Sequence, residues 1–142
     1  MLIKKILVGL AILISLYGNA TKISADNPII IKPKLQEDYI KEIFGDKAKI
    51  ATAVLMHESS MKLNAINYNC RYNGKSKSCK RGDEKLAWSV DCGIAQVNVK
   101  GRVCPKHLFT LEGNMKAVEK IYKTQGLKAW VSYTTGRYKK FM

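Results

Sequence analysis

Asp46-Lys47-Ala48-Lys49-Ile50-Ala51-Thr52-Ala53-Val54-Leu55-Met56-His57-Glu58 is the most apolar helical stretch of the chain beyond its N-terminal segment. No glycine or proline interrupts it, and Asp46 stands where a side chain would cap the first turn. The stretch predicts the central helix of the molecule. Ile50, Val54 and Glu58 recur at i, i+4 and i+8, so they share one helix face. A carboxylate closing an apolar row is costly to ionise, and the C-terminal end of the helix dipole opposes its charge too. An acid kept protonated near neutrality is what cleavage of a glycosidic bond requires, because the leaving oxygen must receive a proton. The plainer alternative is a surface glutamate snorkelling at a helix end.

On either side of this helix the pattern stays mostly helical. Tyr39, Ile40, Ile43 and Phe44 keep helical spacing in residues 35–44, and Gly45 ends that segment. Residues 64–85 are rich in Asn, Gly, Ser, Lys and Arg, which predicts a solvated loop with a small β-hairpin turning at Asn73-Gly74. Residues 88–98 read as a strand followed by a turn. Pro105 can open a helical turn carrying Leu108 and Phe109. The amphipathic stretch 112–124 ends at Gly126, its expected C-cap. A last helix would carry Trp130 and Tyr133. The fold class expected is mostly α, of the α+β kind, with a small β-hairpin insertion in one domain over residues 35–142. Trp88, Trp130 and Tyr122 read as core aromatics. His57 and Glu58, as neighbours on a helix, point about 100° apart, so His57 reads as a packing or surface residue.

The ends and the charge set the compartment. Met1 to Lys5 is a positive leader, Ile6 to Tyr17 is uncharged and apolar, and Gly18-Asn19-Ala20 is a small-x-small cleavage site. That run is short of the roughly 20 residues a membrane-spanning helix needs. It reads as a secretory signal peptide over residues 1–20, with cleavage after Ala25 as an alternative and a linker to residue 34. An uncleaved N-terminal anchor is the other reading. The 142 residues carry 25 Lys+Arg against 11 Asp+Glu, a formal charge of +14, which attracts polyanions. Export to the periplasm or the extracellular space excludes nucleic acid as a partner. It leaves an anionic wall polymer or a membrane surface. Cys70, Cys79, Cys92 and Cys104 are even in number and form no C-x-x-C pair, so disulfides are favoured over zinc. Three pairings are possible. The turn at Asn73-Gly74 favours Cys70–Cys79 with Cys92–Cys104.

Three blocks in order then carry more than any residue alone: Glu58-Ser59-Ser60; Ser89-Val90-Asp91-Cys92-Gly93-Ile94-Ala95-Gln96-Val97-Asn98; and Trp130-Val131-Ser132-Tyr133-Thr134-Thr135-Gly136, with Asn114 between the last two. This order resembles the lytic transglycosylases of the lysozyme-like superfamily, above all the small specialised members that accompany conjugation, secretion or phage machinery. The likeness runs from about Gly45 to Tyr138. It implies a lysozyme-like domain that cleaves peptidoglycan between N-acetylmuramic acid and N-acetylglucosamine, leaving a 1,6-anhydro sugar. It needs no metal or cofactor. It implies Glu58 as the catalytic acid and base, Tyr133 as the residue orienting that carboxyl, and Ser60, Gly93, Gln96 and Asn98 as substrate-binding positions. A partner in an envelope-spanning apparatus and a monomeric state are part of the same expectation. The family usually shows an Asn-Ala pair after the tyrosine, where this chain has Thr134-Thr135.

Asp91 has two readings. The block around it also resembles the animal-type lysozyme motif, in which this aspartate is a second catalytic carboxylate. Alternatively it is a strand-end aspartate bonding local amides, and the substrate's own acetamido group steadies the cationic centre. The second is favoured here. The rival functions are a muramidase hydrolase on the same fold, a non-catalytic wall-binding or scaffold protein, and a cationic membrane-active protein.

Overall fold

The structure is a computed structural model and describes residues 33–142. The signal peptide and most of the linker lie outside the described residues. Helix α1 spans Gln36–Phe44, and the Asp38 carboxylate accepts from the Leu35 N–H at 3.0 Å, which satisfies one orphan donor of its first turn. Asp46 does not cap the next helix. It sits inside a 3-10 turn, Gly45–Lys47, that runs straight into α2, Ala48–Ser59. The chain leaves helical space only at Gly45 (φ +53°), and Lys47, the residue before α2, is not extended (φ −89°, ψ 5°) and caps nothing with its side chain. Helix α2 buries Ala51, Ala53, Val54 and Leu55, as its apolar content predicts.

The β part is larger than a hairpin. Strands β1 (Ile66–Tyr72) and β2 (Lys75–Ser78) turn at Asn73-Gly74, both with positive φ, as a tight two-residue hairpin requires. Strands β3 (Ser89–Cys92) and β4 (Val97–Lys100) complete an antiparallel sheet of order β2-β1-β3-β4. Residues 88–98, read as a single strand and a turn, thus supply one whole strand and the start of a second. Helical turns of all kinds cover 54% of the described residues and strands 17%, so the molecule is a mixed α+β structure.

Register gives the sheet two unlike faces. Asn67 pairs with Asp91 and Asn69 with Ser89, while Asp91 pairs with Asn98 across β3–β4. Opposed residues point to the same side, so one face is polar. The other carries Tyr68, Val90, Cys92, Val97 and Val99 and packs on Leu108. Leu108 belongs to a 3-10 turn, Lys106–Phe109, after which Thr110 caps α3 (Leu111–Gln125) by accepting from the Gly113 N–H at 3.1 Å. Gly126 ends α3. The expected last helix is cut short. Residues Val131–Thr134 form α4, Gly136 turns the chain at φ +72°, and Arg137–Phe141 is a 3-10 turn. The main core joins Ile40 and Phe44 of α1, Val54 and Leu55 of α2, Met115 and Val118 of α3, and Trp130.

Candidate functional site

Glu58 stands on the last turn of α2, half-buried, and its Oε1 accepts a hydrogen bond from the hydroxyl of Ser132 on α4. Ser132 is itself 2% exposed, so the donor is fixed by packing. The family resemblance implies Tyr133 for this task. No hydrogen bond joins Tyr133 to Glu58 among the described residues; its ring instead stacks on Tyr138 at 5.4 Å. A helix of one turn explains the exchange: neighbouring positions point about 100° apart, and position 132 is the one that faces α2. His57 packs edge-to-face on Phe141 at 6.2 Å, and its Nδ1 is buried without a partner among the described residues.

The turn between β3 and β4 is the hub that fixes Glu58 against the sheet. The Ser59 hydroxyl donates to the Ile94 carbonyl at 2.6 Å, tying the end of α2 to the turn. The Trp130 indole N–H donates to the Ala95 carbonyl at 2.9 Å. Asn114 is fully buried on α3 and makes three bonds: its amide donates to the carbonyls of Cys92 (3.1 Å) and Leu108 (2.8 Å) and accepts from the Ala95 N–H (3.2 Å). Buried polar groups are tolerable only when paired in this way.

Gly93 is explained by this hub. It is buried at φ +71°, and a Cβ there would overlap the Asn114 amide and the Leu108 carbonyl. Its missing side chain makes room for the Asn114 amide of α3 and for the Leu108 carbonyl, a packing reason for glycine at this position. Gln96 folds back on its own turn, its side-chain amide donating to the Gly93 carbonyl at 3.0 Å. Gln96 and Asn98 also line, with Ile121, Gln125 and Trp130, a shallow cavity of about 280 Å³. Ser60 is exposed and holds the left-handed residue that ends α2, with its N–H on the Met56 carbonyl. The serine that reaches the turn is Ser59.

Asp91 is held on the polar sheet face by three asparagines. Its Oδ2 accepts from Asn69 (2.8 Å) and Asn67 (3.2 Å), and its Oδ1 accepts from Asn98 (2.7 Å). Asn98 and Asn69 also contact the buried Ser89 hydroxyl. The arrangement matches the reading of an aspartate bonding local amides, and it fixes the position of that carboxyl on the polar face.

Both disulfides pair sequentially, Cys70–Cys79 across the hairpin and Cys92–Cys104 from the end of β3 to the segment before the Lys106–Phe109 turn. They fit an oxidising compartment. No described helix is long and apolar enough to cross a membrane. Among the described residues no cluster of His, Cys, Asp and Glu could hold a metal ion. Trp130 and Tyr122 pack with Phe44 in or beside the core, but Trp88 does not: it is 37% exposed with the Arg71 guanidinium over its ring. Its place just outside β3, at the end of the sheet, puts no layer above it. No family model, curated protein or solved structure matches the chain.

Proposed function

We propose that this protein is an exported lytic transglycosylase with a lysozyme-like domain, cutting the β-1,4 bond between N-acetylmuramic acid and N-acetylglucosamine in peptidoglycan. The observation that carries the reading is Glu58. This half-buried carboxyl closes an apolar helix, is oriented by a buried serine hydroxyl, and is anchored through Ser59 and the β3–β4 turn to a sheet with a polar face. Glu58 protonates the bridging oxygen as the bond breaks. The acetamido group of the substrate steadies the oxocarbenium-like centre. Glu58, now a carboxylate, takes the proton of the 6-hydroxyl, whose oxygen closes the 1,6-anhydro ring. The family resemblance also supplies the suggestion that an envelope-spanning conjugation, secretion or phage apparatus is the setting, with the chain acting as a monomer.

A second reading draws on the asparagine cage. A charge held in place at Asp91 is what a two-carboxylate hydrolase uses to face the cationic centre, and water then replaces the 6-hydroxyl. The test is digestion of purified peptidoglycan followed by mass spectrometry, since the anhydro product is lighter by one water than the hydrolysed one. Glu58→Gln is expected to fold normally and to lose at least ~10²–10⁴-fold in turnover, the range of general acid–base catalysis. Wild-type activity in that variant would remove the reading altogether.

A further inference from the structure

Arg71 is an exposed cation in no ion pair among the described residues. It leaves β1 on the same side as Asn67 and Asn69, because residues i, i+2 and i+4 of a strand share a face. Asn67 opposes Asp91, so Arg71 stands four residues along the strand from the Asp91 row, about 13 Å at ~3.3 Å per residue. That is the length of a few sugar rings. Its guanidinium lies 4.8 Å from the centre of the Trp88 ring. A guanidinium held over an indole face can keep N–H donors free for another partner, and that fork suits a carboxylate.

No carboxylate of the described residues takes that fork. The Asp83 carboxylate accepts from the Tyr72 hydroxyl at 2.6 Å, a bond that holds the Tyr72 phenol above its usual range. Glu84 accepts from the Gly82 N–H at 3.0 Å, and Asp91 is taken by the three asparagines. The described ion pairs all lie elsewhere, on α1 and α3. Lys100, which opposes Ser89 on the same face, adds a second exposed cation one row nearer Asp91. A pre-set guanidinium and a lysine beyond the acid are complementary to an anionic group carried on the strand being cut.

We propose that Arg71, held on Trp88, binds a carboxylate of the peptide stem attached to a muramic acid residue of the glycan strand lying across this face. The inference rests on the cleavage reading for the identity of the strand. It makes the enzyme prefer stem-bearing over stripped glycan, with Lys100 assisting. Glycan stripped of stems keeps the lactyl carboxylate on each muramic acid, so it separates the two sources of negative charge.

The experiment measures binding of soluble glycan oligomers, with and without peptide stems, to Glu58→Gln protein by calorimetry, so that cutting plays no part. Adding Arg71→Gln should weaken binding of the stem-bearing oligomer about tenfold or more, the loss expected for a hydrogen bond to a charged group. Binding of the stripped oligomer should change far less. Arg71→Lys, which keeps the charge but not the planar fork, should recover part of the loss, and Trp88→Leu should lose affinity for the stem-bearing oligomer with Arg71 still present. Equal weakening on both oligomers, or none on either, with circular dichroism unchanged, overturns the proposal. Wild-type protein that binds these oligomers with the stated preference but cuts neither would sink the cleavage reading and leave the Arg71 result standing.

Discussion

Around the long helices, Phe44, Leu55, Met115 and Trp130 join Ile94 in a contiguous apolar core. Beneath the sheet the buried cluster shrinks to Val90, Cys92 and Leu108, flanked by partly buried neighbours. Burying a large apolar side chain contributes roughly 1.5–3 kcal/mol, so the helical part is held chiefly by burial. The sheet part adds two covalent staples and a net of side-chain amides around Asp91. The division also runs through the site. Glu58 comes from the region that burial makes rigid, and Asp91 from the region that cross-links and polar bonds make rigid. A small chain thus places one group on an apolar scaffold and the other on a hydrophilic one.

Reduction is the strongest way to break that contrast. With both disulfides opened, the sheet should lose its constraint, at ~2–4 kcal/mol for each bridge, while the helical core keeps its packing. Hydrogen exchange followed by mass spectrometry is expected to show amides of β1–β4 exchanging first and those of α2 and α3 last. Uniform exchange across the chain would mean that the two regions are one cooperative unit. Thiol counting on the mature, unreduced protein should find no free thiol.

A smaller effect is expected from Asp91→Asn. In the transglycosylase reading the acetamido group of the substrate does the electrostatic work, so turnover should fall by less than about a hundredfold, below the usual cost of removing a general acid. The side chain is nearly isosteric, but an amide facing three asparagine donors needs one of them to turn. Part of the loss should therefore show as a lower melting temperature. A well-folded variant as inactive as Glu58→Gln would make the sheet an equal partner in the chemistry and put lysozyme-type hydrolysis first.

The smallest effect tests the joint between the regions. Ser132→Ala removes the hydroxyl that orients Glu58 and should cost about tenfold in kcat, the scale of a hydrogen bond to a charged group. KM should stay near the wild-type value. Ser132→Thr, which restores a hydroxyl, should recover part of the rate. Tyr133→Phe is the control, since its hydroxyl makes no bond to Glu58.

Much of the helical part was legible because its signals are local. The apolar run of α2, the hairpin turn at Asn73-Gly74 and the C-cap at Gly126 each occupy a few adjacent residues. The hub turn was legible as a motif but not in its role. That Gly93 makes room for Asn114 depends on α3 arriving from a distant part of the chain. Ser132 carries no signal of its own in the sequence, and which of two neighbours faces α2 is decided by the docking angle of a one-turn helix. The extra strand of the sheet and the exposure of Trp88 were hidden for a related reason: short strands with few apolar residues are defined by their partners across the sheet, not by their own periodicity.

The bond between Glu58 and Ser132 spans 74 positions, which ties the timing of the site to the order in which the chain becomes available. A polypeptide that emerges with its N-terminal end first presents Glu58 well before Ser132, and contacts of such separation are slow to close. The half-buried carboxyl then lacks the donor and the packing that orient it. Competence would arrive as the closing step of folding, when α4 and the Arg137–Phe141 turn dock against α2. Loss of a short C-terminal piece would return the molecule to that unfinished state while leaving the hairpin and the long helices in place.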